Sequence, residues 1–323
     1  MTKTNKYLIL LAFLALANPL WQVNPYYGHR QVIVTLCCLA LFWFISKYDW
    51  RKWILIVTVL AGVFVSIETY AQWLGDSLIF PAGVGVITST IGNSNYVAAY
   101  LLFPIFACLA LRKTWLLALL FLIPALIISR GRAGWIGFAV GMGLYAWLTL
   151  PKHRVRLAIW GAVSILIATW GVITYKPDVL NSDTLRCRVK YWQAGWEIIR
   201  ENPVLGIGFD GYRSEVYEAQ ARIIKRDPGW MKKWYDKKPR RVHNMYLEAL
   251  ADGGIVWAIA LFAFIGRILY RSYHRAREDL SVLAVWCGLV AVLVNSIFFF
   301  TAKILVTWVM LWVFLGILDR GEK

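Results

Sequence analysis

Apolar runs close to twenty residues long recur along this chain, separated by short polar connections that hold many of its lysines and arginines. A helix needs about 20 apolar residues to cross roughly 30 Å of hydrocarbon. Inside a bilayer only helices and closed barrels satisfy every backbone N–H and C=O, and the strict alternation of a lipid-facing barrel strand is absent. The expected fold is therefore all-α: a polytopic transmembrane helical bundle with one long extracytoplasmic loop containing amphipathic helices. About ten spans are expected, at roughly 7–21, 31–46, 53–74, 95–111, 114–128, 133–150, 156–175, 253–270, 281–298 and 303–318. No sequence repeat is evident. The organisation reads as N-terminal transmembrane helices (1–175), an extracytoplasmic loop (176–252) and C-terminal transmembrane helices (253–323).

The net charge of +17 would suit a nucleic-acid partner. Its placement argues otherwise, because the cations sit mostly at the edges of apolar runs, where they orient a membrane protein. Alternate connections carry Lys47, Arg51 and Lys52, then Arg112 and Lys113, then Lys152, Arg154 and Arg156, then Arg271, Arg275 and Arg277. These are expected on the cytoplasmic side together with both termini, which leaves the long loop outside. Its own lysines and arginines do not disturb that assignment, since long loops translocate largely regardless of charge. Lys3 and Lys6 precede an apolar run, but Asn18-Pro19-Leu20-Trp21 is a poor cleavage site, so a retained first helix is expected. Cys187 alone lies in the polar loop, which excludes a disulfide within it.

Two polar groups interrupt the membrane pattern. Ser129-Arg130-Gly131-Arg132 places two arginines in a very short outer connection. They either snorkel to lipid headgroups or form an anion site, since the guanidinium fork matches phosphate oxygens. Glu68, about two turns from the outer end of the third span, is either part of the site or a structural pair with an arginine such as Arg130. Asn93 and Asn95 precede the fourth span, where capping is the default and contact with a sugar or phosphate the addition.

The long loop has its own order. From Thr184 to Ile199 apolar residues recur at helical spacing, predicting an amphipathic helix that carries Arg186, Arg188 and Trp192 and suits the headgroup layer. Asn202-Pro203 ends it, and Gly206 and Gly208 permit a turn where backbone approaches a ligand closely. The run from Lys232 to Arg241 reads as a solvated face or a contact with anionic lipid, with an acidic acceptor molecule as the further alternative. His243 is the candidate proton acceptor, because a neutral imidazole can take a proton from a hydroxyl and such a step contributes about 10²- to 10⁴-fold. A structural role is the bland alternative for a lone histidine. No metal-ligand cluster stands out.

Taken together, Gly92-Asn93-Ser94-Asn95-Tyr96, Ser129-Arg130-Gly131, Arg188 with Trp192, Asn202-Pro203 through Gly208, and His243-Asn244-Met245-Tyr246-Leu247-Glu248 through Gly253-Gly254 resemble the O-antigen ligase and polymerase superfamily. The resemblance covers roughly residues 85–270. It implies a metal-independent, inverting glycosyltransferase of the bacterial cytoplasmic membrane, acting on the periplasmic face without a cofactor. The donor would be a glycan on undecaprenyl pyrophosphate and the acceptor a glycolipid, with lipid A core favoured. Protein glycosylation and glycan polymerisation are the alternatives within the superfamily. The resemblance makes Arg130 and Arg188 holders of the pyrophosphate and His243 the base or the group that orients the acceptor. Arg132, Glu68, Asn93, Asn95, Arg186, Trp192, Gly208, Asn244 and Tyr246 become substrate contacts. Members commonly have about twelve spans, and the difference falls N-terminal to Gly92. An anion or lipid transporter is the rival from another class, but apart from Glu68 the spans offer little more than Asn295 and Lys303 towards a polar path.

Overall fold

A computed structural model describes residues 3–79, 87–153, 183–230 and 240–320. Among the described residues the regular structure is helical, with no strand. The helices are α1 (Lys3–Ala17), α2 (Pro25–Lys47), α3 (Arg51–Leu74), α4 (Ser94–Leu111), α5 (Leu119–Ile128), α6 (Arg132–Thr149), α7 (Asp183–Glu201), α8 (Tyr212–Arg226), α9 (Met245–Glu278), α10 (Leu280–Asn295) and α11 (Leu305–Asp319). The span expected at 156–175 and residues 231–239 of the basic run lie outside the described residues. Among the described residues four helices are long and apolar enough to cross a membrane, namely α2, α3, α4 and α9, and shorter apolar helices cover Lys113–Ile128, Leu280–Asn295 and Leu305–Asp319.

The chain divides into two compact units, one made of Met1–Cys37 with Lys152–Phe264 and the other of Cys38–Pro151 with Ile265–Lys323. In the second unit α4 is the centre: every residue from Val97 to Ala110 is buried, and α3, α5, α6, α10 and α11 surround it. Such a helix has no polar face to show, and its sequence is accordingly apolar all round. α6 comes close to α10 because it presents glycines. A Cβ on Gly137 would lie 2.5 Å from the Ala291 carbonyl oxygen, and one on Gly141 would lie 2.7 Å from the Ala291 Cβ. Small residues at this four-residue spacing are how helices approach in lipid, where dispersion contacts replace the hydrophobic drive.

At one end of the same unit the connections expected to be cytoplasmic are tied together. Arg51 pairs with Asp279 at 3.2 Å, Arg320 pairs with Asp49, and Arg275 donates to the Leu318 and Arg320 carbonyls. Glu68 is buried in α3, and three neutral donors hold its carboxylate: Gln72 Nε2 (3.1 Å), Ser77 Oγ (2.8 Å) and the Leu78 N–H (3.2 Å). Gln72 Oε1 in turn accepts the Thr88 and Ser89 N–H groups at 2.9 and 2.7 Å. These partners give Glu68 a place in fastening the connection after α3.

Candidate functional site

The first unit is built around a helix break. α9 is recorded as one helix, yet Gly254 stands at φ 67°, ψ −173° inside it. The break frees carbonyls before it and N–H groups after it, and the segment 203–208 takes up both. Ile207 and Gly208 N–H donate to the Ala251 and Asp252 carbonyls at 3.0 and 2.8 Å, while Ile255 and Val256 N–H donate to the Pro203 and Val204 carbonyls at 2.9 and 3.4 Å. Buried backbone groups must find partners, and here two irregular segments satisfy each other.

This pairing explains the glycines. A Cβ on Gly254 would sit 2.1 Å from the Val204 carbonyl oxygen, one on Gly206 2.6 Å from Gly254 N, and one on Gly208 2.6 Å from Gln22 Cα. Close backbone approach was expected at Gly206 and Gly208, but the partner is the protein's own chain. Gly208 is buried against Gln22, and its N–H is held by the Asp252 carbonyl. The N-terminal turn secures the other side of the segment: Asn18 Oδ1 accepts the Phe209 N–H (2.7 Å), and Trp21 Nε1 donates to the Leu205 carbonyl (2.9 Å).

α7 occupies the stretch expected to be an amphipathic helix. Ala194, Ile198 and Ile199 on its inner side form a core with Ile207, Tyr212, Val216, Ala219, Val242 and Ala251. Arg226–Glu197 (2.5 Å) and Arg222–Glu201 (2.7 Å) pair it with α8. Its other apolar side opens on a groove of about 480 Å³ lined by Val189, Trp192, Gln193, Trp196, Glu197, Ile223, Trp230 and Leu247. Trp230 Nε1 donates to Gln193 Oε1 at 2.6 Å, and the Lys190 ammonium lies 4.6 Å above the Trp230 ring.

His243 sits at the head of this arrangement with φ 58°. A non-glycine residue in the left-handed region costs about 1–3 kcal/mol and persists where its surroundings fix it. The neighbours do so. Val242 is fully buried, packed on Gly195, where an added Cβ would stand 3.2 Å away. Asn244 Oδ1 accepts the Tyr246 and Leu247 N–H groups at 2.9 and 3.0 Å, capping the start of α9. The imidazole stacks on Tyr191, with centroids 5.7 Å apart and planes 25° from parallel. Burial first, then the cations Arg188 and Arg241, push the His243 pKa down to about 4. The imidazole is therefore neutral at physiological pH.

A buried ion cluster lies beside it. Arg241, with its side chain 15% exposed, pairs with Asp210 and lies 3.6 Å from Glu248. Arg213 reaches Asp210 at 3.4 Å and stacks over Tyr27 at 4.0 Å. Asp252 accepts the Asp210 and Tyr212 N–H groups at 2.9 and 3.2 Å. Burial would lower the Arg241 pKa, but Glu248, Asp210 and Asp252 more than offset it and hold the guanidinium charged. The expectation that Arg241 belongs to a solvated basic face is thus corrected: it is an internal cation. Burial, and then Glu248, lift the Tyr212 hydroxyl well above its ordinary pKa, so it stays protonated and donates to the Tyr191 carbonyl at 3.2 Å.

Of the residues singled out from sequence, Arg186, Arg188, Trp192, Gly208, His243, Asn244 and Tyr246 fall in this unit, with Arg186 exposed and the Tyr246 ring tilted against Phe262, centroids 5.0 Å apart. Glu68, Asn93, Asn95, Arg130 and Arg132 fall in the other. There Arg130 is exposed at φ 57° and Arg132, also exposed, opens α6. The Asn93 side chain accepts the Asn95 N–H at 2.9 Å, which is the capping role. Asp210 and Asp252 were not singled out, and Arg241 was read only as part of the basic run. Asp210 meets Arg241 and Asp252 from 31 and 42 residues away, and the carboxylates carry no local motif.

Comparison with known proteins adds a family. Residues 116–263 match the family model described as O-Antigen ligase. An uncharacterized protein of Haemophilus influenzae (strain Rd) is similar, at 25% identity over 210 residues, covering 58% of this chain and 50% of that protein. The chain thus spans about half the length of the curated relative it matches.

Proposed function

Starting from a chain whose residues 116–263 belong to the O-antigen ligase family of membrane glycosyltransferase-like enzymes, we propose that it moves a glycan from undecaprenyl pyrophosphate to an acceptor hydroxyl, with lipid A core as the acceptor. The observation that carries the reading is the neutral, half-buried His243 stacked on Tyr191 with the Arg188 cation acting on it from the same helix as Tyr191.

The chemistry follows from those groups. The acceptor O–H gives its proton to the His243 imidazole as its oxygen attacks the anomeric carbon. The bond from that carbon to the phosphate oxygen breaks, and the electron pair leaves with the lipid diphosphate. Diphosphate is a good leaving group once its charge is neutralised, and guanidinium groups do this where the charge develops. Arg188 takes that role here, on the same helix as Tyr191. A single displacement inverts the anomeric centre.

Two further features support the reading. The groove runs along α7 from Trp192, one turn after Arg188, and its tryptophan-rich lining suits an isoprenoid chain whose diphosphate meets the arginine. The depressed basicity of His243 also has a use. A diphosphate beside Arg188 offsets one of the cations that hold the imidazole neutral, so donor binding strengthens the base. The inner membrane, with the reaction on its periplasmic face, is the proposed location.

The test is reconstitution in nanodiscs with a polyprenyl-diphosphate glycan and three acceptors offered separately: lipid A core, a peptide and a second lipid-linked glycan. Transfer to lipid A core with inverted configuration supports the proposal. Transfer to none of the three, or a product of retained configuration, overturns it.

A further inference from the structure

We propose that Arg241 is a positioning residue, clamped between Asp210 and Glu248 so that it fixes the backbone and ring of His243 against Tyr191. The inference rests on the reading of His243 as proton acceptor and adds a residue that no motif marks.

The geometry comes from three anchors around one strained residue. Arg241 is held by carboxylates from two elements: Asp210, just before α8, and Glu248, in the first turn of α9. Asp210 is itself left-handed, at φ 61°, and its N–H is fixed on Asp252. Val242 is locked in the core. Asn244 is committed to capping α9. Residues on both sides of His243 are thus pinned to different elements, and the φ of 58° is what this leaves the residue between them. A left-handed histidine needs such over-determination, because alternative backbones are lower in energy.

The cation has a second effect. His243 faces Arg188 and Tyr191 from α7 and Arg241 from its own segment, while Tyr212, Glu248 and Asp252 lie among the groups coupled to these. Glu248 and Asp210 hold Arg241 within reach of the imidazole, so one ion cluster sets both the position and the charge environment of the ring. Lysine does not substitute simply, since an ammonium lacks the guanidinium fork that meets two carboxylates at once.

The test uses full-length protein in nanodiscs with His29, His153 and His274 replaced by glutamine, so that the ¹³Cε1 signal of His243 stands alone. In Arg241→Gln the His243 midpoint should rise by about one unit or more, because a cation is lost and the ring gains solvent. Single-turnover transfer should fall about tenfold or more, the scale expected when a reacting group shifts by a fraction of an ångström to an ångström. An unchanged midpoint with transfer within about twofold of wild type would overturn the proposal. If Arg241→Gln does not fold, Arg241→Lys decides: slowed transfer with a displaced His243 signal supports the clamp, and wild-type values of both refute it. His243→Gln separates this idea from the reading beneath it. Normal transfer by that variant removes the base, whereas the response of the His243 signal to Arg241 substitution still judges the clamp.

Discussion

Alanine at position 254 should unravel the site from the inside. Gly254 stands at φ 67°, and a Cβ there would meet the Val204 carbonyl oxygen at 2.1 Å, the Val204 carbonyl carbon at 2.4 Å and Leu205 N at 2.6 Å. All three are backbone atoms, so no rotamer change relieves the clash. The backbone at φ 67°, ψ −173° lies in a region essentially confined to glycine and costs an alanine about 1–3 kcal/mol. Moving the 203–208 segment away sacrifices at least two of the four hydrogen bonds across the break, at about 0.5–1.5 kcal/mol each and more where a buried group is left unpaired. The sum is about 2–6 kcal/mol, a large fraction of a typical domain's stability. Gly75→Ala is the open-space control, because Gly75 has φ 99°, ψ −3° and nothing within 4 Å of an added Cβ, so it carries a positive-φ cost without the clash. The assay is thermal unfolding in detergent followed by tryptophan fluorescence, with limited proteolysis at the 202–211 segment as a local readout. Equal losses for the two variants would refute the paired-segment reasoning.

Other outcomes follow from the same geometry. Asn244→Ala removes the cap on Tyr246 and Leu247 N–H and should cost about 0.5–2 kcal/mol in a denaturation series. Acid should weaken the fold through His243: the unfolded imidazole takes its proton near pH 6.5, the folded one near 4. Between those values the unfolded state binds more protons, so stability is lost as pH falls, by up to about 3 kcal/mol. The difference between wild type and His243→Gln over that window measures it, and parallel curves would refute it. Trp196→Ala opens the groove wall and should raise KM for long-chain donors about three- to thirtyfold while leaving short-chain analogues nearly unaffected, in line with burial of about 1–2 kcal/mol of apolar surface.

Much of the helical pattern is legible in the sequence because apolar periodicity is a local property. α3, α4, α6 and α10 begin within a few residues of their expected starts, and Asn93 caps α4 as its position suggests. α9 is where local reading fell short. Glu248 and Asp252 make its first turns look like loop, yet the helix starts at Met245, because those carboxylates turn inward to Arg241 and to the Asp210 and Tyr212 N–H groups. Arg241 was misjudged for the converse reason. Its neighbours in sequence are basic, and the acids that bury it come from elsewhere. Gly206 and Gly208 announce a close approach without naming its partner, which only the fold supplies as Gln22 and the Gly254 break. His243 and Arg188 stood out through a motif, and their electrostatic coupling became visible once α7 was packed against residues 240–244.

The most direct test of the central claim is single-turnover glycan transfer by His243→Gln in nanodiscs, with donor binding measured on the same sample. Glutamine keeps the size and some hydrogen bonding of the side chain but cannot accept the acceptor's proton. A rate lower by about 10²- to 10⁴-fold, with donor affinity within about threefold of wild type, is the predicted result. Transfer at the wild-type rate would contradict it.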